Sequence, residues 1–296
     1  MRIWIVCPCY FDTMSFARVR EEATTVLRSV TPDAELKFVL VDDSAGQDPA
    51  VAGIAAFPDV QIVPPPYNLG HQGALVFALR GLGRTLDEHD FVVTMDADGE
   101  DRPADLGQLL APLLANRDNL HKVSLAHRTH RAESAIFKVL YSAFKLVFFA
   151  LTGTVIRSGN FVAYRGWLLK QVIYHPHFDH CYASSFVSLP MQTELVPLAR
   201  GHRYGGQSRM GYMGLFTHGI RMLMPFSERV ATRGILASTV LLGASLVILL
   251  IALASRRDPR WALFGVFYAT LTLGIFVLLF ATFSQSKARS LRGLKD

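Results

Sequence analysis

The sequence predicts an α/β domain on a mostly parallel sheet, followed by two helices that cross a membrane. Three observations carry this expectation. Short apolar runs alternate with helix-like stretches between residues 3 and 126, acidic and glycine-bearing clusters fall where those runs end, and the last third of the chain gathers its apolar residues into two long uncharged stretches.

The runs at 3–7, 38–41, 61–63, 91–95 and 123–126 are β-branched or apolar and are bounded by Pro, Asp, Gly or Asn, which reads as buried strands. Helix-like stretches at 16–28, 70–86 and 105–114 lie between them. Strands alternating with helices predict a parallel sheet with flanking helices. Ligands on such sheets sit at the carboxyl ends of the strands. Polar clusters occur there, at 10–12, 42–44 and 96–101.

At 134–153, Phe137, Leu140, Tyr141, Phe144, Val147, Phe148 and Leu151 recur at helical spacing, with Lys138, Ser142 and Lys145 on the other face. The broad aromatic face predicts an amphipathic helix in the membrane interface, an ordinary core-packing helix being the alternative. The stretches 235–254 and 261–283 each reach the roughly 20 residues needed to span the hydrocarbon core. The connector 255–260 allows only a tight hairpin, so both outer ends share one side. Arg221, Arg229 and Arg233 before the pair, and Lys287, Arg289, Arg292 and Lys295 after it, place that side in the cytoplasm. The expected organisation is a cytoplasmic domain over 1–227 and a two-helix anchor with a short basic tail over 228–296. The amino terminus enters a strand directly, with no cleavable signal visible, so both termini are expected to be cytoplasmic at the inner membrane.

Hydrophobic residues make up 51% of the chain, and the formal charge of +6 suits an anionic partner. The basic residues cluster beside the spans and the phosphate-type motifs and not along one exposed helix, which excludes nucleic acid as the expected partner. Cys7, Cys9 and Cys181 form neither a disulfide framework nor a paired metal site. His175, His177, Asp179, His180 and Cys181 crowd together, but Pro176 interrupts them and no second ligand pair lies at a zinc spacing, so a loop near the acceptor is the better reading.

Asp96-Ala97-Asp98 follows a strand and precedes Glu100 and Asp101. Carboxylates crowded on one turn repel one another unless a cation sits among them, which predicts a divalent metal, a solvated acidic turn being the alternative. Three further motifs accompany this turn in order: Cys7-Pro8-Cys9-Tyr10-Phe11-Asp12, Val41-Asp42-Asp43-Ser44, and Asn68-Leu69-Gly70-His71-Gln72-Gly73-Ala74-Leu75. With Met95-Asp96-Ala97-Asp98-Gly99-Glu100-Asp101-Arg102-Pro103, the set resembles family-2 glycosyltransferases, in particular the dolichol-phosphate mannose synthase and bacterial polyprenyl-phosphate glycosyltransferase branch.

That resemblance implies a GT-A type, Rossmann-like domain and inverting transfer of a sugar from a UDP- or GDP-linked donor to a polyprenyl phosphate. It implies that Pro8, Tyr10 and Asp12 line the nucleotide pocket and that Asp42 or Asp43 meets base or ribose. Asn68, Gly70 and Gly73 would bring backbone close to the donor, the alternative being a plain helix-capping turn. Asp96 and Asp98 would hold Mg²⁺ or Mn²⁺ against the donor phosphates, with Asp98, Glu100, Asp101 and Asn160 as candidate catalytic residues. Arg128 and Arg131 would grip the acceptor phosphate, a solvated basic patch being the alternative. Arg203, Ser208 and Arg209 resemble the family's R-x-x-G-x-S-K segment, with Arg209 in place of Lys, and would close over the diphosphate. The resemblance also allows a homo-oligomer held through the membrane segments.

One departure bears on the acceptor. Better-known members carry an acid where this chain has Asn160, and an amide is no base. A lipid phosphate, with a second pKa of about 6, needs none. A glycolipid hydroxyl, the rival acceptor, would need Asp101 or Glu100 instead. A nucleotide-binding membrane scaffold without turnover is the non-enzyme alternative, against which Asp96 and Asp98 argue.

Overall fold

A computed structural model of the chain describes residues 1–128, 135–205 and 211–293. The elements run β1 (Arg2–Cys9), α1 (Thr13–Val30), β2 (Glu35–Asp42), α2 (Val51–Ile54), β3 (Val60–Val63), α3 (Gly70–Leu82), β4 (Phe91–Thr94), α4 (Leu106–Ala115), β5 (Lys122–Arg128) and α5 (Ala135–Thr152). There follow β6 (Ser158–Arg165), α6 (Gly166–Val172), α7 (Pro176–His180), α8 (Tyr182–Ser188), β7 (Gln192–Leu198), α9 (Tyr212–Leu223), α10 (Ser227–Ala254) and α11 (Arg260–Gly293). By contacts the chain forms two compact units, one of Met1–Phe137 with Ile156–Pro225 and one of Lys138–Val155 with Phe226–Asp296.

The first unit holds a seven-stranded sheet in the order β3-β2-β1-β4-β6-β5-β7. β1 pairs in parallel with β2 and β4, β2 with β3, and β5 with β7, whereas β6 runs antiparallel between β4 and β5. Both faces of the centre are covered, so its strands are apolar on both sides. Ile3, Ile5 and Cys7 of β1 join Phe16 and Val19 of α1 and Leu109 of α4, while Trp4 and Val6 pack with Leu75 of α3 and Tyr182 and Phe186 of α8. The GT-A-like mixed sheet with flanking helices agrees with the expected fold class.

Strands β6 and β7 and helices α6 to α9 occupy a stretch where the sequence patterns assigned no element. The antiparallel β6 is the consequential one. It starts at the carboxyl end of β4, pairing Val162 with Thr94, and thereby brings Asn160 to the end of the sheet where the acidic turn begins.

In the second unit, α10 and α11 are long and apolar enough to cross a membrane. Their seam is lined by small residues: Ala231, Gly234 and Ser238 are buried at helical spacing, and a Cβ on Gly234 would fall 2.2 Å from the Phe276 ring. Close approach through small residues is the usual means of packing helices in lipid. Large apolar side chains point outward instead, Val240 at 71% and Trp261 at 84% exposure among them. The end of α5 is fixed in this unit by Arg233, whose Nη1 donates to the carbonyl of Ala150 at 3.0 Å and occupies the space that Gly153, at φ 71°, leaves open. Phe148 is buried against Phe226 (5.4 Å between ring centroids), while Leu146, Val147 and Phe149 on the same helix are exposed.

Candidate active site

Six chain segments and one helix start converge at the end of the sheet where the central parallel strands finish. At the end of β1, Pro8 and Cys9 are buried in the strand, and the chain turns at Phe11, whose φ of 56° lies in the left-handed region. Tyr10 and Phe11 are exposed with their rings edge to face at 4.9 Å, and Asp12, half-buried before α1, sits 3.9 Å from Arg203 Nη1. Burial pushes the Cys9 thiol up to about 12, which leaves it unreactive.

The acids at the end of β2 are occupied by backbone. Asp42 is buried; its Oδ1 accepts from the Ser44 N–H (3.2 Å) and hydroxyl (2.5 Å), and its Oδ2 from the Gly46 N–H (3.0 Å). Asp43 Oδ1 accepts the Leu69 N–H at 2.7 Å, tying the strand to the start of α3. Burial raises the Asp43 pKa despite this bond. Beside it, Asn68 Oδ1 accepts the Gly70 N–H (2.9 Å), Gly70 has φ 70°, and Gly73 packs so that a Cβ would meet Leu69 Cβ at 3.1 Å. This corner is built from the sequence upward: an Asx turn and a left-handed glycine shape the entry to α3.

The acids after β4 have different partners. Arg128, at the end of β5, donates from Nη2 to the buried Asp101 Oδ1 (2.7 Å) and stands 4.0 Å from Asp96. Asp101 Oδ2 in turn accepts the Asp96 N–H at 3.0 Å. Arg203 pairs with Asp98 Oδ2 and lies 3.7 Å from Glu100, which also pairs with Arg200. Burial works against the charged form of Asp96, but His71 and Arg128 outweigh it and hold its pKa low. Burial and the charge of Asp96 push Asp98 up to about 6 and raise Asp101 as well.

The turn itself depends on Gly99, at φ 87°, against whose Cα the Tyr204 ring packs so closely that a Cβ would come within 2.7 Å of it. Tyr204 N–H donates to the Asp98 carbonyl (2.9 Å), its hydroxyl donates to Glu22 of α1, and Arg18 stacks 4.0 Å over its ring.

Asn160 enters from β6. Its Oδ1 accepts from Gln72 Nε2, its Nδ2 faces His71 Nε2, and its carbonyl accepts the Thr94 hydroxyl at 2.6 Å. The Thr94 hydroxyl also meets Tyr182, which meets Tyr164. His71 Nε2 stands 3.2 Å from Asp96 Oδ1, yet that oxygen is buried without an aligned hydrogen bond.

The arrangement therefore gathers Asp12, Asp96, Asp98, Glu100, Asp101, Asn160, Arg128 and Arg203. It keeps Asp42 and Asp43 as supports of the rim. Arg131, Ser208 and Arg209 lie outside the described residues. Away from this site, His177 Nδ1 meets Ser188 Oγ at 2.9 Å, Asp179 pairs with Arg80 at 2.7 Å, and Glu194 pairs with Lys122 at 2.6 Å. His71, Gln72, Arg200, Tyr204 and Tyr182 were not singled out by sequence. The first two stood inside a motif read for its backbone, and Arg200 precedes Arg203 by a helix-turn spacing that carries no meaning in a loop.

Oxygen atoms of Asp96, Asp98 and Glu100 all lie within 4.8 Å of one another. Hard carboxylate oxygens at that separation, one of them buried without an aligned donor, fit a divalent cation.

A protein-family model described as glycosyl transferase family 2 matches residues 4–165. No curated protein sequence matches significantly. Among solved structures, a mannosyl-3-phosphoglycerate synthase from Rubrobacter xylanophilus aligns at 16% identity over 79% of this chain and 74% of its own, with a TM-score of 0.49. The mannosyltransferase PcManGT from Pyrobaculum calidifontis, solved with GDP-Man and Mn²⁺, aligns at 15% identity over 95% of this chain and 86% of its own, with a TM-score of 0.38. A 4-diphosphocytidyl-2C-methyl-D-erythritol synthase aligns at 14% identity over 75% and 98%, with a TM-score of 0.43.

Proposed function

The chain belongs to glycosyl transferase family 2 and is a glycosyltransferase, and from that premise we propose that it moves a sugar from a nucleotide-sugar donor to a polyprenyl phosphate at the cytoplasmic face of a membrane. In this reading it is a member of the dolichol-phosphate mannose synthase and bacterial polyprenyl-phosphate branch. The single observation that carries the chemistry is the acid turn after β4, where Asp96, Asp98 and Glu100 converge beside a buried carboxylate oxygen with no aligned donor.

Asp96 and Asp98, with Glu100 beside them, would hold Mg²⁺ or Mn²⁺. A bound cation there neutralises charge gathering on a departing nucleoside diphosphate. The chain's own groups do the rest. Arg203, already among these carboxylates, supplies a guanidinium fork suited to diphosphate oxygens. Arg128 holds Asp101 in place and remains partly exposed toward an anionic acceptor. An acceptor phosphate oxygen forms a bond to the anomeric carbon as the bond from that carbon to the nucleoside diphosphate breaks, with inversion. A phosphate oxygen is already ionised, so no proton has to leave. Asn160 then orients the acceptor.

The two apolar helices α10 and α11 support a membrane anchor over 228–296, and the exposed apolar residues of α5 support an interfacial position for that helix. On the arginines and lysines flanking the pair, the catalytic domain and both termini lie in the cytoplasm.

The test uses detergent-purified full-length protein with undecaprenyl phosphate, Mg²⁺ or Mn²⁺, and a panel of UDP- and GDP-sugars. A glycolipid that requires the metal and disappears in Asp96→Asn and Asp98→Asn is the expected result. Sugar transfer only to a hydroxyl-bearing glycolipid would refute the acceptor.

A further inference from the structure

The sheet has a second polar corner, at the end away from the acid turn. A cavity of about 500 Å³ opens where β1 and β4 begin and β6 ends, lined among others by Arg2, Asp87, Asp90, Arg117, Asp118 and Arg165. Arg165 closes β6 and is only 3% exposed. Its guanidinium carbon lies 3.9 Å over the ring of Phe91, its partner in the β4–β6 register, and its Nη2 donates to the Arg117 carbonyl at 2.7 Å. Its Nε and Nη1 are buried with no partner.

Buried charges are ordinarily paired, because a guanidinium taken out of water loses its acceptors along with its solvation. The acids nearby do not pair with Arg165. Asp90 already meets Arg2 Nη2 (2.9 Å), Trp4 Nε1 (3.2 Å) and the Asp87 N–H (2.9 Å), and Asp87 Oδ1 accepts the His89 N–H at 2.9 Å. Asp118 attracts Arg165 without bonding to it. Burial, together with the charge of Arg117, outweighs that attraction and lowers the Arg165 pKa. Arg117, exposed on the loop after α4, brings a second guanidinium to the same cavity.

We infer that this cavity binds a small oxyanion, a carboxylate or a phosphate group, between Arg165 and Arg117. Unmet N–H donors on a planar cation call for a partner that offers several oxygen lone pairs and the opposite charge. Water would meet the donors and leave the charge unpaired. Asp87 and Asp118 on the lining repel a highly charged chain such as a polyphosphate, so an anion of low charge fits. The cavity lies within the first unit and stands apart from the transferase reading, so its occupancy can be measured without a sugar donor or an acceptor.

The experiment follows the thermal midpoint of full-length detergent-purified protein in EDTA against rising sodium phosphate or sodium acetate, with sodium chloride at equal ionic strength as the reference. Any tag is placed at the carboxyl terminus, because Met1 also lines the cavity. The expected result is a saturable rise above the chloride curve with phosphate, acetate or both, which identifies the group that is bound. In Arg117→Ala and in Arg165→Met the apparent dissociation constant is expected to weaken about tenfold or more, the scale of losing hydrogen bonds to a charged group. Asp118→Asn, which removes a like charge from the lining, is expected to tighten it by about threefold. Arg203→Ala, which strips the acid turn of its own guanidinium, is expected to leave the rise unchanged.

Midpoints that follow chloride in all three salts would show that water alone fills the cavity and would overturn the inference. So would a rise that survives in either cavity variant, or one that vanishes in Arg203→Ala and therefore belongs to the acid turn. Should Arg165→Met fail to fold, the exposed Arg117 carries the same decision.

Discussion

The two acidic corners of the site differ in what holds their carboxylates. After β2, Asp42 and Asp43 accept hydrogen bonds from backbone N–H groups of Ser44, Gly46 and Leu69. After β4, Asp96, Asp98, Glu100 and Asp101 are paired chiefly with the side chains of Arg128, Arg200 and Arg203. Backbone partners cannot leave without unfolding the turn, whereas a guanidinium on a flexible stem can be exchanged for another cation or moved to another anion. Acid residues near each other in sequence and space therefore divide into supports and exchangeable ligands, and the partner, not the residue type, marks the difference.

The sharpest way to break this comparison is at the exchangeable corner. Asp96→Asn and Asp98→Asn are each expected to lower turnover by about a thousandfold, on the scale of losing electrostatic stabilisation of a leaving group, while the thermal midpoint holds or rises in Asp98→Asn, whose charge is disfavoured in the fold, and falls modestly in Asp96→Asn, whose charge His71 and Arg128 favour. Steady-state rates and melting curves in the same detergent check both halves. A midpoint drop in both variants would place these acids with the supports.

The supporting corner should respond in reverse. Asp42→Ala strands three hydrogen-bonding groups in a buried turn, so a destabilisation of about 3 kcal/mol is expected, with turnover per folded molecule little changed. Denaturant titration paired with activity measured on the folded fraction separates the two effects. Metal addition gives a smaller and more selective signal. At a hundredfold excess over its dissociation constant, Mn²⁺ should stabilise the wild type by about 2.7 kcal/mol and do nothing for Asp98→Asn. An equal shift in both would locate the cation elsewhere. The mildest effect is expected at Gly99→Ala, where a left-handed backbone and the Tyr204 ring together cost about 1 to 2 kcal/mol, read as a lower midpoint with some loss of rate.

Much of this fold was legible. The parallel strands β1, β2 and β4 are buried on both faces, and such strands announce themselves as continuous apolar runs. The two apolar helices are visible for a similar reason: length and the lack of charge are one-dimensional properties. Strands β6 and β7 were not seen. The β6 segment, Ser158–Arg165, begins with Ser, Gly and Asn and has only a short apolar stretch, and β7 mixes Gln, Glu and Pro along an edge.

In the site, the motif acids were legible as residues but not as roles. Asp42 and Asp96 look alike in sequence, and only their hydrogen-bond partners separate them. Gln72 lay beyond sequence reasoning because its side-chain oxygen is held by Ala183, 111 residues away, through a backbone N–H that any residue but proline would supply.

Tyr204 offers a last consequence. Its ring rests on Gly99 in the acid turn, while its hydroxyl reaches Glu22 and its face carries Arg18, both on α1. Arg18 and Glu22 also pair with each other at 2.8 Å. The acid turn thus has an adjustment point on the outside of the molecule, where ordinary drift in surface residues can retune catalysis without touching a catalytic group. Libraries aimed at a faster or slower enzyme would do well to begin at exposed Arg18 and half-buried Glu22, leaving the carboxylates of the turn alone.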